Sequence, residues 1–288
     1  MEILNFNENF IRPECVKIRA KGVQKSYRFL HISDVHVAVA AANDSDDKKA
    51  LALKQTKNWS FGEFTSNEAF EEMLKYVRCV HPDALLIAGD AVDYFGDANA
   101  AVMKDKLTEL QEEGISTLYA YGNHEGASYT ESIPDYRAYY HLYTDVMGAD
   151  PSFQVMDLGD LIIVAVEDST RDITPSQLEK MKSVCNDAKE RKISIILLMH
   201  IPICAEELAP GVLKIWGPSF MIGSLADDSP TVHEFCDLVR SEDTPIAAVL
   251  AGHIHYSQKG ELSAGRMQYV SAPAFEGFVY DITVIGEE

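Results

Sequence analysis

Carboxylate and imidazole side chains recur in five short blocks of the chain, and each block follows an apolar run. The blocks are Asp34-Val-His36, Gly89-Asp90-Ala-Val-Asp93, Gly122-Asn123-His124-Glu125, Met199-His200 and Gly252-His253-Ile-His255. Carboxylate, carboxamide and imidazole groups together suit a borderline divalent ion such as zinc, manganese or iron. A single histidine at the end of a strand is more often structural, but five repeats of one arrangement indicate a metal site.

Seven of these side chains are candidate metal ligands, which is too many for one tetrahedral ion. They are Asp34, His36, Asp90, Asn123, His200, His253 and His255. Two ions that share one bridging carboxylate would use the whole set. A pair of ions about 3.5–4 Å apart is suited to in-line displacement at phosphorus. The set contains no cysteine, which argues against a closed structural zinc site.

Apolar strands are expected to position these blocks. They are predicted at 27–32, 84–88, 115–121, 193–199 and 246–250, and each ends at a block. Alternate residues of a strand share a face, and sites in α/β sheets gather at the carboxyl ends of strands. Helices are predicted at 65–79, 98–113 and 174–192, with a further helix that begins at 229. The alternation of strands and helices predicts a layered α/β protein.

The remaining segments give less regular patterns. Alternation predicts hairpins at 16–32 and 153–166, and strand-like segments close the chain at 267–285. Two long excursions, 37–64 and 202–229, are expected to be irregular and either functional or disordered. The aromatic end of the first excursion, with Trp59, favours packing, either at the edge of the core or as a lid over the site. In the second excursion Trp216 and Phe220 could stack on a nucleobase or an apolar leaving group, or pack within the excursion itself.

Taken in order, the five blocks resemble the signature of the calcineurin-like metallophosphoesterases over about 27–256. The opening block and the compact size look most like the bacterial phosphatase and phosphodiesterase branch. The resemblance implies a four-layer α/β/β/α sandwich of two mixed sheets flanked by helices. We expect a single domain over 1–288, with the two excursions as a candidate lid.

The resemblance also implies a role for each site residue. One ion would be held by Asp34, His36 and His255, the other by Asn123, His200 and His253, with Asp90 bridging them. His124 would stay free of metal and stabilise the transition state or protonate the leaving oxygen, and Asp93 would orient it. The implied reaction is in-line attack of a hydroxide on a phosphomonoester or phosphodiester, with two divalent or mixed-valence ions of manganese, zinc or iron. Purple acid phosphatases place a tyrosine ligand where this chain has Asp93, which argues against a purple enzyme.

The net charge of the chain limits the kinds of molecule that it is expected to bind. The 288 residues carry a formal net charge of -20, which disfavours nucleic-acid backbones and anionic lipid and makes a nuclease the weaker hypothesis. A small phosphorylated substrate is expected instead, because bound metal reverses the local field. Monoesterase, cyclic-nucleotide phosphodiesterase and protein phosphatase stay open, as does the oligomeric state. A catalytically silent scaffold of the same fold is the alternative from another class, and filled ligand positions argue against it.

The expected compartment is the cytoplasm. The five cysteines are scattered without a C-x-x-C pair, which predicts free thiols in a reducing compartment. Residues 1–12 do not look like a secretion leader, and no apolar run is long enough to span a membrane.

Among other residues, Glu125 is predicted to have a local structural role, His31 to be ordinary, and Arg137 and Arg171 to be candidate phosphate clamps.

Overall fold

A computed structural model describes residues 6–133, 135–263 and 265–287. Within them eleven strands occur in chain order: β1 Arg12–Ala20, β2 Tyr27–Ile32, β3 Ala84–Ala88, β4 Ser116–Ala120, β5 Phe153–Asp157, β6 Leu161–Val166, β7 Ser194–Leu198, β8 Ile246–Ala251, β9 Gln258–Ser263, β10 Arg266–Val270 and β11 Phe278–Gly286. One sheet has the order β1-β11-β2-β3-β4 and the other β5-β6-β7-β8-β10-β9. Both sheets mix parallel and antiparallel pairs.

Seven α-helices lie in the described residues: α1 Asp46–Asn58, α2 Ser66–Val80, α3 Asp97–Glu112, α4 Thr144–Met147, α5 Pro175–Arg191, α6 Ala209–Ile215 and α7 Pro230–Arg240. Two capping boxes fix where helices begin, at Thr65 for α2 and at Thr174 for α5. In each box the threonine side chain accepts a hydrogen bond from the backbone N–H three residues later. The side chain of that later residue accepts a hydrogen bond from the threonine backbone N–H. The predicted starts of these two helices are therefore confirmed.

The two sheets pack face to face, and helices cover their outer faces. Phe29 from the first sheet and Ile196 from the second belong to the core between the sheets. Helices α2 and α3 cover the first sheet through residues such as Met73, and α5 and α7 cover the second through residues such as Phe235. The predicted four-layer α/β/β/α sandwich is confirmed.

The hairpin predicted over 16–32 is wrong in its pairing. Both strands are present as β1 and β2, but β11 lies between them. Ile282 of β11 is opposite Val16 in a parallel pair and opposite Phe29 in an antiparallel pair. Alternation predicts a strand without identifying its partner, so local sequence could not reveal the inserted last strand. The hairpin over 153–166 is confirmed as the antiparallel pair β5–β6.

The excursion 37–64 is not irregular throughout, because it contains helix α1. Ser45 caps this helix through its side chain. The buried residues of α1 are Ala52, Gln55 and Thr56, so the helix presents no stripe of large apolar side chains to the core. Hydrophobic periodicity consequently missed it. The second excursion contains the short helix α6 and a 3-10 turn at Pro218–Phe220.

Two expectations about the chain can be compared with the described residues. All five cysteines are free there, in agreement with the prediction. None of the described helices combines the length and the apolar character that crossing a bilayer requires. Residues 1–5, part of the segment considered as a leader, lie outside the described residues.

Candidate metal centre

The candidate ligands leave the strands in an unusual backbone conformation. Asp34, His36, Asp90, His253 and His255 all have positive φ, between 51° and 73°. A non-glycine residue in this region costs about 1–3 kcal/mol, and such residues cluster at functional sites. The turns are held by backbone bonds between blocks: Asp34 N–H donates to the Gly89 carbonyl at 3.1 Å. The fold therefore maintains strained turns where the sequence predicted ligands.

Three ligand atoms meet in a first group, formed by Asp34, His36 and His255. The Nε2 atoms of the two histidines are 3.3 Å apart, and Asp34 Oδ1 is 3.3 Å from His255 Nε2. Atoms about 2.0–2.1 Å from one tetrahedral ion lie about 3.3 Å from each other. Asp34 Oδ1 is buried and accepts no hydrogen bond from the described residues. The donor set and this orphaned oxygen fit a cation.

A second group gathers around His200 Nε2. Asp90 Oδ2 lies 3.0 Å from this atom, and Asn123 Oδ1 and His253 Nδ1 each lie 3.1 Å from it. These spacings again fit ligands of a common ion. The other oxygen of Asp90, Oδ1, accepts from the His124 backbone N–H at 2.8 Å. The structure thus places Asp90 with the second group, and its bridging role stays a prediction.

Burial and charge set the protonation of these groups. Burial opposes ionisation of Asp34, but His255 lowers the pKa of this carboxyl to about 2. Burial and the neighbouring His200 lower the pKa of His253 to about 3. For His200 burial acts against the charged form, yet Asp90 raises the pKa to about 10. Asp34 and His253 are therefore already in the form that binds metal, whereas His200 must lose a proton first.

His124 stands beside both groups with one ring nitrogen engaged. Its Nδ1–H donates to the backbone carbonyl of Asp93 at 2.7 Å and lies 3.3 Å from Oδ1 of that residue. Burial lowers its pKa, but Asp90 and then Asp93 raise it to about 9. The side chain is 21% exposed. His124 thus presents a protonated imidazole that solvent reaches.

The carboxylate of Asp93 accepts from four side chains besides its contact with the His124 ring. His36 Nδ1 lies at 3.1 Å, Gln55 Nε2 at 3.0 Å, Trp59 Nε1 at 2.6 Å and Tyr129 Oη at 3.1 Å. The histidine bonds lower the pKa of Asp93 against the effect of burial. Sequence reasoning missed Gln55 and Tyr129 and treated Trp59 only as an aromatic residue. A lone glutamine on a helix carries no recognisable signal.

Comparison with known proteins identifies the family to which this chain belongs. The family model for calcineurin-like phosphoesterases matches residues 27–257. The chain belongs to the calcineurin-like phosphoesterase family. Membership, together with the groups of His and Asp side chains, supports a metal-binding site at these strand ends.

Two curated relatives match parts of this chain. A probable cyclic nucleotide phosphodiesterase of Rhodococcus erythropolis is 27% identical over 188 residues, 61% of this chain and 52% of the relative. The DNA double-strand break repair protein Mre11 of Methanopyrus kandleri is 30% identical over 100 residues, 34% of this chain and 19% of the relative. The matches therefore span about half of one relative and about a fifth of the other.

Solved structures share the fold of this chain. A dimetal phosphatase from Danio rerio has a TM-score of 0.52 at 13% identity, covering 87% of this chain and 88% of that one. A purple acid phosphatase, PPD1, from yellow lupin also has a TM-score of 0.52, at 14% identity, covering 89% and 45%. Both likenesses concern the fold alone.

Two buried carboxylates accept hydrogen bonds from the backbone behind the candidate ligands. Glu125 accepts from the N–H groups of Ala91 at 2.7 Å and Gly122 at 2.8 Å, and from the Tyr119 hydroxyl. This agrees with its predicted structural role. Asp168 accepts from the His200 N–H at 3.1 Å, and sequence reasoning missed it. It follows the apolar strand β6, so the pattern that identified the other strand ends also finds this one.

Both excursions bring aromatic rings to histidines of the candidate metal centre. The Trp59 ring stacks on His36 with centroids 4.2 Å apart and an interplanar angle of 18°. Phe220 stacks on His253 at 4.7 Å and 25°, and Trp216 stacks on Phe220 at 5.0 Å. The aromatic ends of 37–64 and 202–229 therefore border the metal centre from two sides.

The two predicted phosphate clamps are occupied by protein carboxylates. Arg137 Nε donates to Glu167 Oε2 at 2.9 Å, and Arg171 donates to Asp228 Oδ1 at 2.8 Å. Both guanidinium groups are therefore held by ion pairs, and their role as phosphate clamps stays a prediction. His31, predicted to be ordinary, is fully buried, and its Nε2 lies 3.1 Å from the Ala251 carbonyl.

Proposed function

We propose that this protein is a dinuclear-metal phosphatase or phosphodiesterase that acts on small phosphorylated substrates. The observation that carries the proposal is the pair of His and Asp groups at neighbouring strand ends, with the protonated His124 beside them. One group alone would suit a structural ion. Two groups with an acid at their edge suit phosphoryl transfer to water.

The first ion would be held by Asp34, His36 and His255, and the second by Asn123, His200 and His253, with Asp90 shared between them. Two such cations, when bound, lower the pKa of water toward neutrality and neutralise charge on phosphoryl oxygens. Manganese, zinc and iron all suit this mixed donor set. The residues behind the ligands keep the backbone turns fixed, so the ligand atoms need little rearrangement.

His124 acts as the acid for the leaving oxygen. The bond from its Nδ1–H to the Asp93 carbonyl fixes the ring and leaves Nε2 as the proton donor. With a pKa of about 9 the imidazole carries that proton at neutral pH. Asp93 holds His124 and His36 at once, so it couples the position of the acid to that of a metal ligand.

The two excursions form walls of the proposed active site. Residues 1–288 form one domain in this proposal. The shared core between the sheets supports a single unit. The net charge of -20 argues against a long polyanionic substrate, and the partial likeness to Mre11 is not sufficient to favour a nuclease. A silent scaffold would not need His124 to be held in this orientation by Asp93.

A paired substitution tests the proposal. Hydrolysis of aryl phosphomonoesters and phosphodiesters is measured with added manganese, zinc or iron, and bound metal is counted by elemental analysis. Asp90→Asn is expected to lower both the metal content and the rate. His124→Ala is expected to keep two ions and to lower kcat by about 10²–10⁴-fold. Two folded variants with the wild-type rate would disprove the proposal.

A further inference from the structure

The indole ring of Trp216 is bonded to the peptide that joins two candidate metal ligands. Its Nε1–H donates to the Ile254 carbonyl at 2.8 Å, and Ile254 stands between His253 and His255 in the chain. His253 belongs to the second group of ligands and His255 to the first. A single hydrogen bond therefore acts on the turn from which both groups receive a histidine.

This turn depends on contacts from outside itself. His253 and His255 have φ values of 73° and 56°, in the left-handed region where non-glycine residues are strained. Ile254 is fully buried, and its side chain belongs to the core between the second sheet and its helices. Its carbonyl oxygen has no access to solvent and requires a partner within the protein. The indole N–H of Trp216 supplies that partner.

The helix that precedes Trp216 is anchored to the segment after the two histidines. In α6 a methyl group added to Gly211 would lie only 3.1 Å from the Tyr256 hydroxyl, so the helix approaches this side chain closely. Gln258 Nε2 donates to the Glu207 carbonyl at 2.8 Å, just before the helix. These contacts hold the Trp216 backbone beside the turn that its side chain bonds.

Aromatic contacts fix the plane of the indole ring. Trp216 stacks on Phe220 at 5.0 Å and 19°, and Phe220 stacks on His253 at 4.7 Å and 25°. The His255 ring lies edge-on to the indole at 6.2 Å and 74°. Contacts of both geometries are favourable between aromatic rings. Trp216 thus reaches both histidines, one directly and one through Phe220.

We infer that Trp216 is a positioning residue for both metal ions, acting through the peptide between His253 and His255. The inference rests on the two-ion centre of the proposed function. Trp59 in the first excursion contacts a candidate ligand of the first group alone, His36. Loss of the Trp216 bond should therefore weaken both ions, whereas loss of the Trp59 bond should weaken mainly the first.

Trp216→Phe removes the N–H donor and keeps a ring that can stack on Phe220. Calorimetric titration of the metal-free protein with manganese should show each of two ions bound about tenfold more weakly, the lower end of the effect of residues behind metal ligands. Ile215→Ala is the matched control and should keep wild-type affinities, because Ile215 precedes Trp216 and is 59% exposed. Wild-type affinities in a folded Trp216→Phe protein would overturn the inference, even if that protein unfolded at lower urea concentration.

Proteins that retain one group of ligands test whether both ions depend on Trp216. His200→Ala removes a ligand of the second group, and His36→Ala removes one of the first. In each background Trp216→Phe should lower the affinity for the remaining manganese ion about tenfold. Trp59→Phe should do so only where His36 is present. A decrease caused by Trp216→Phe in only one of the two backgrounds would overturn the shared role.

Hydrolysis separates this inference from the proposed function. Binding of two ions that depends on Trp216, in a protein that hydrolyses no phosphoester, would disprove the proposed function and leave the positioning role standing. Hydrolysis of p-nitrophenyl phosphate with metal affinities that do not depend on Trp216 would disprove the positioning role and leave the proposed function standing.

Discussion

The indole N–H of Trp59 donates a 2.6 Å hydrogen bond to Asp93 Oδ1, and the same ring lies over His36. Asp93 Oδ1 also accepts from His36 Nδ1, which leaves Nε2 of that histidine directed toward Asp34 and His255. Helix α1 and the residue after it therefore complete the surroundings of a candidate ligand. Bonds of this kind fix the tautomer and orientation of a metal-binding histidine.

Trp59→Phe removes the N–H donor but keeps an aromatic ring next to His36. Because His36 and Asp93 would lose a common constraint, we expect metal affinity to fall by about 10–100-fold. We expect kcat to fall as well, since Asp93 also holds His124. Calorimetric titration of the metal-free protein with manganese measures the first effect independently of activity.

Leu53→Ala is the matched control for this substitution. Leu53 lies on helix α1, which Trp59 follows, and is 57% exposed, so its truncation should leave metal affinity and kcat unchanged. Equal affinities for wild type and Trp59→Phe would show that Asp93 is held well enough without the indole.

Gly122→Ala should disturb the second group of ligands. A methyl group at this position would overlap the backbone nitrogen and Oδ1 of Asp90 and come within 2.9 Å of Glu125 Oε2. Overpacking of this kind costs about 1–3 kcal/mol. We expect bound metal, measured by elemental analysis, to fall from two ions toward one.

Gly96→Ala provides the comparison for Gly122. The nearest atom to the added methyl group would be Asn99 Nδ2, at 4.0 Å. Two bound ions in the Gly122 variant, as in this control, would mean that the Asp90 turn tolerates displacement.

Metal binding should release a proton from His200. Asp90 raises the pKa of this histidine to about 10 against the effect of burial, so the metal-free protein holds the proton at pH 7. A metal ion requires the neutral ring, hence affinity should rise about tenfold per pH unit below the pKa. Calorimetry in buffers of different ionisation enthalpy counts the released protons. Binding without proton release, or with affinity independent of pH from 6 to 8, would contradict this.

His31 should make stability sensitive to mild acid. Burial lowers its pKa from 6.5 to about 4, so below pH 6.5 the unfolded chain takes up a proton that the folded protein does not. The neutral ring contributes about 3 kcal/mol to the free energy of unfolding above pH 6.5. This contribution is lost as pH falls toward 4. Urea unfolding at pH 7 and pH 4.5 measures the loss.

In His31→Gln this loss should be about 2 kcal/mol smaller, because the titrating group is gone. His233→Gln, at an exposed position of α7, should lose stability as the wild type does. An unchanged acid dependence in the His31 variant would place the sensitivity in other groups.

Local chemistry made much of the site predictable. Each candidate ligand block follows an apolar strand such as β3 or β7, and both the strand and the residue after it are defined by neighbours in sequence. The starts of α2 and α5 were predictable for the same reason, since a capping box spans four residues. The order of the five blocks was sufficient to indicate the family.

Contacts between distant residues decided the rest. The insertion of β11 between β1 and β2 joins residues more than 200 positions apart, and no local pattern encodes such a partner. Gln55 and Tyr129 reach Asp93 from 38 and 36 residues away. Residues close together in the chain indicate which side chains could bind metal and at which strand ends they lie. Which of those side chains meet depends on the fold, because hydrogen bonds to a buried carboxylate depend on how helices and loops pack around it.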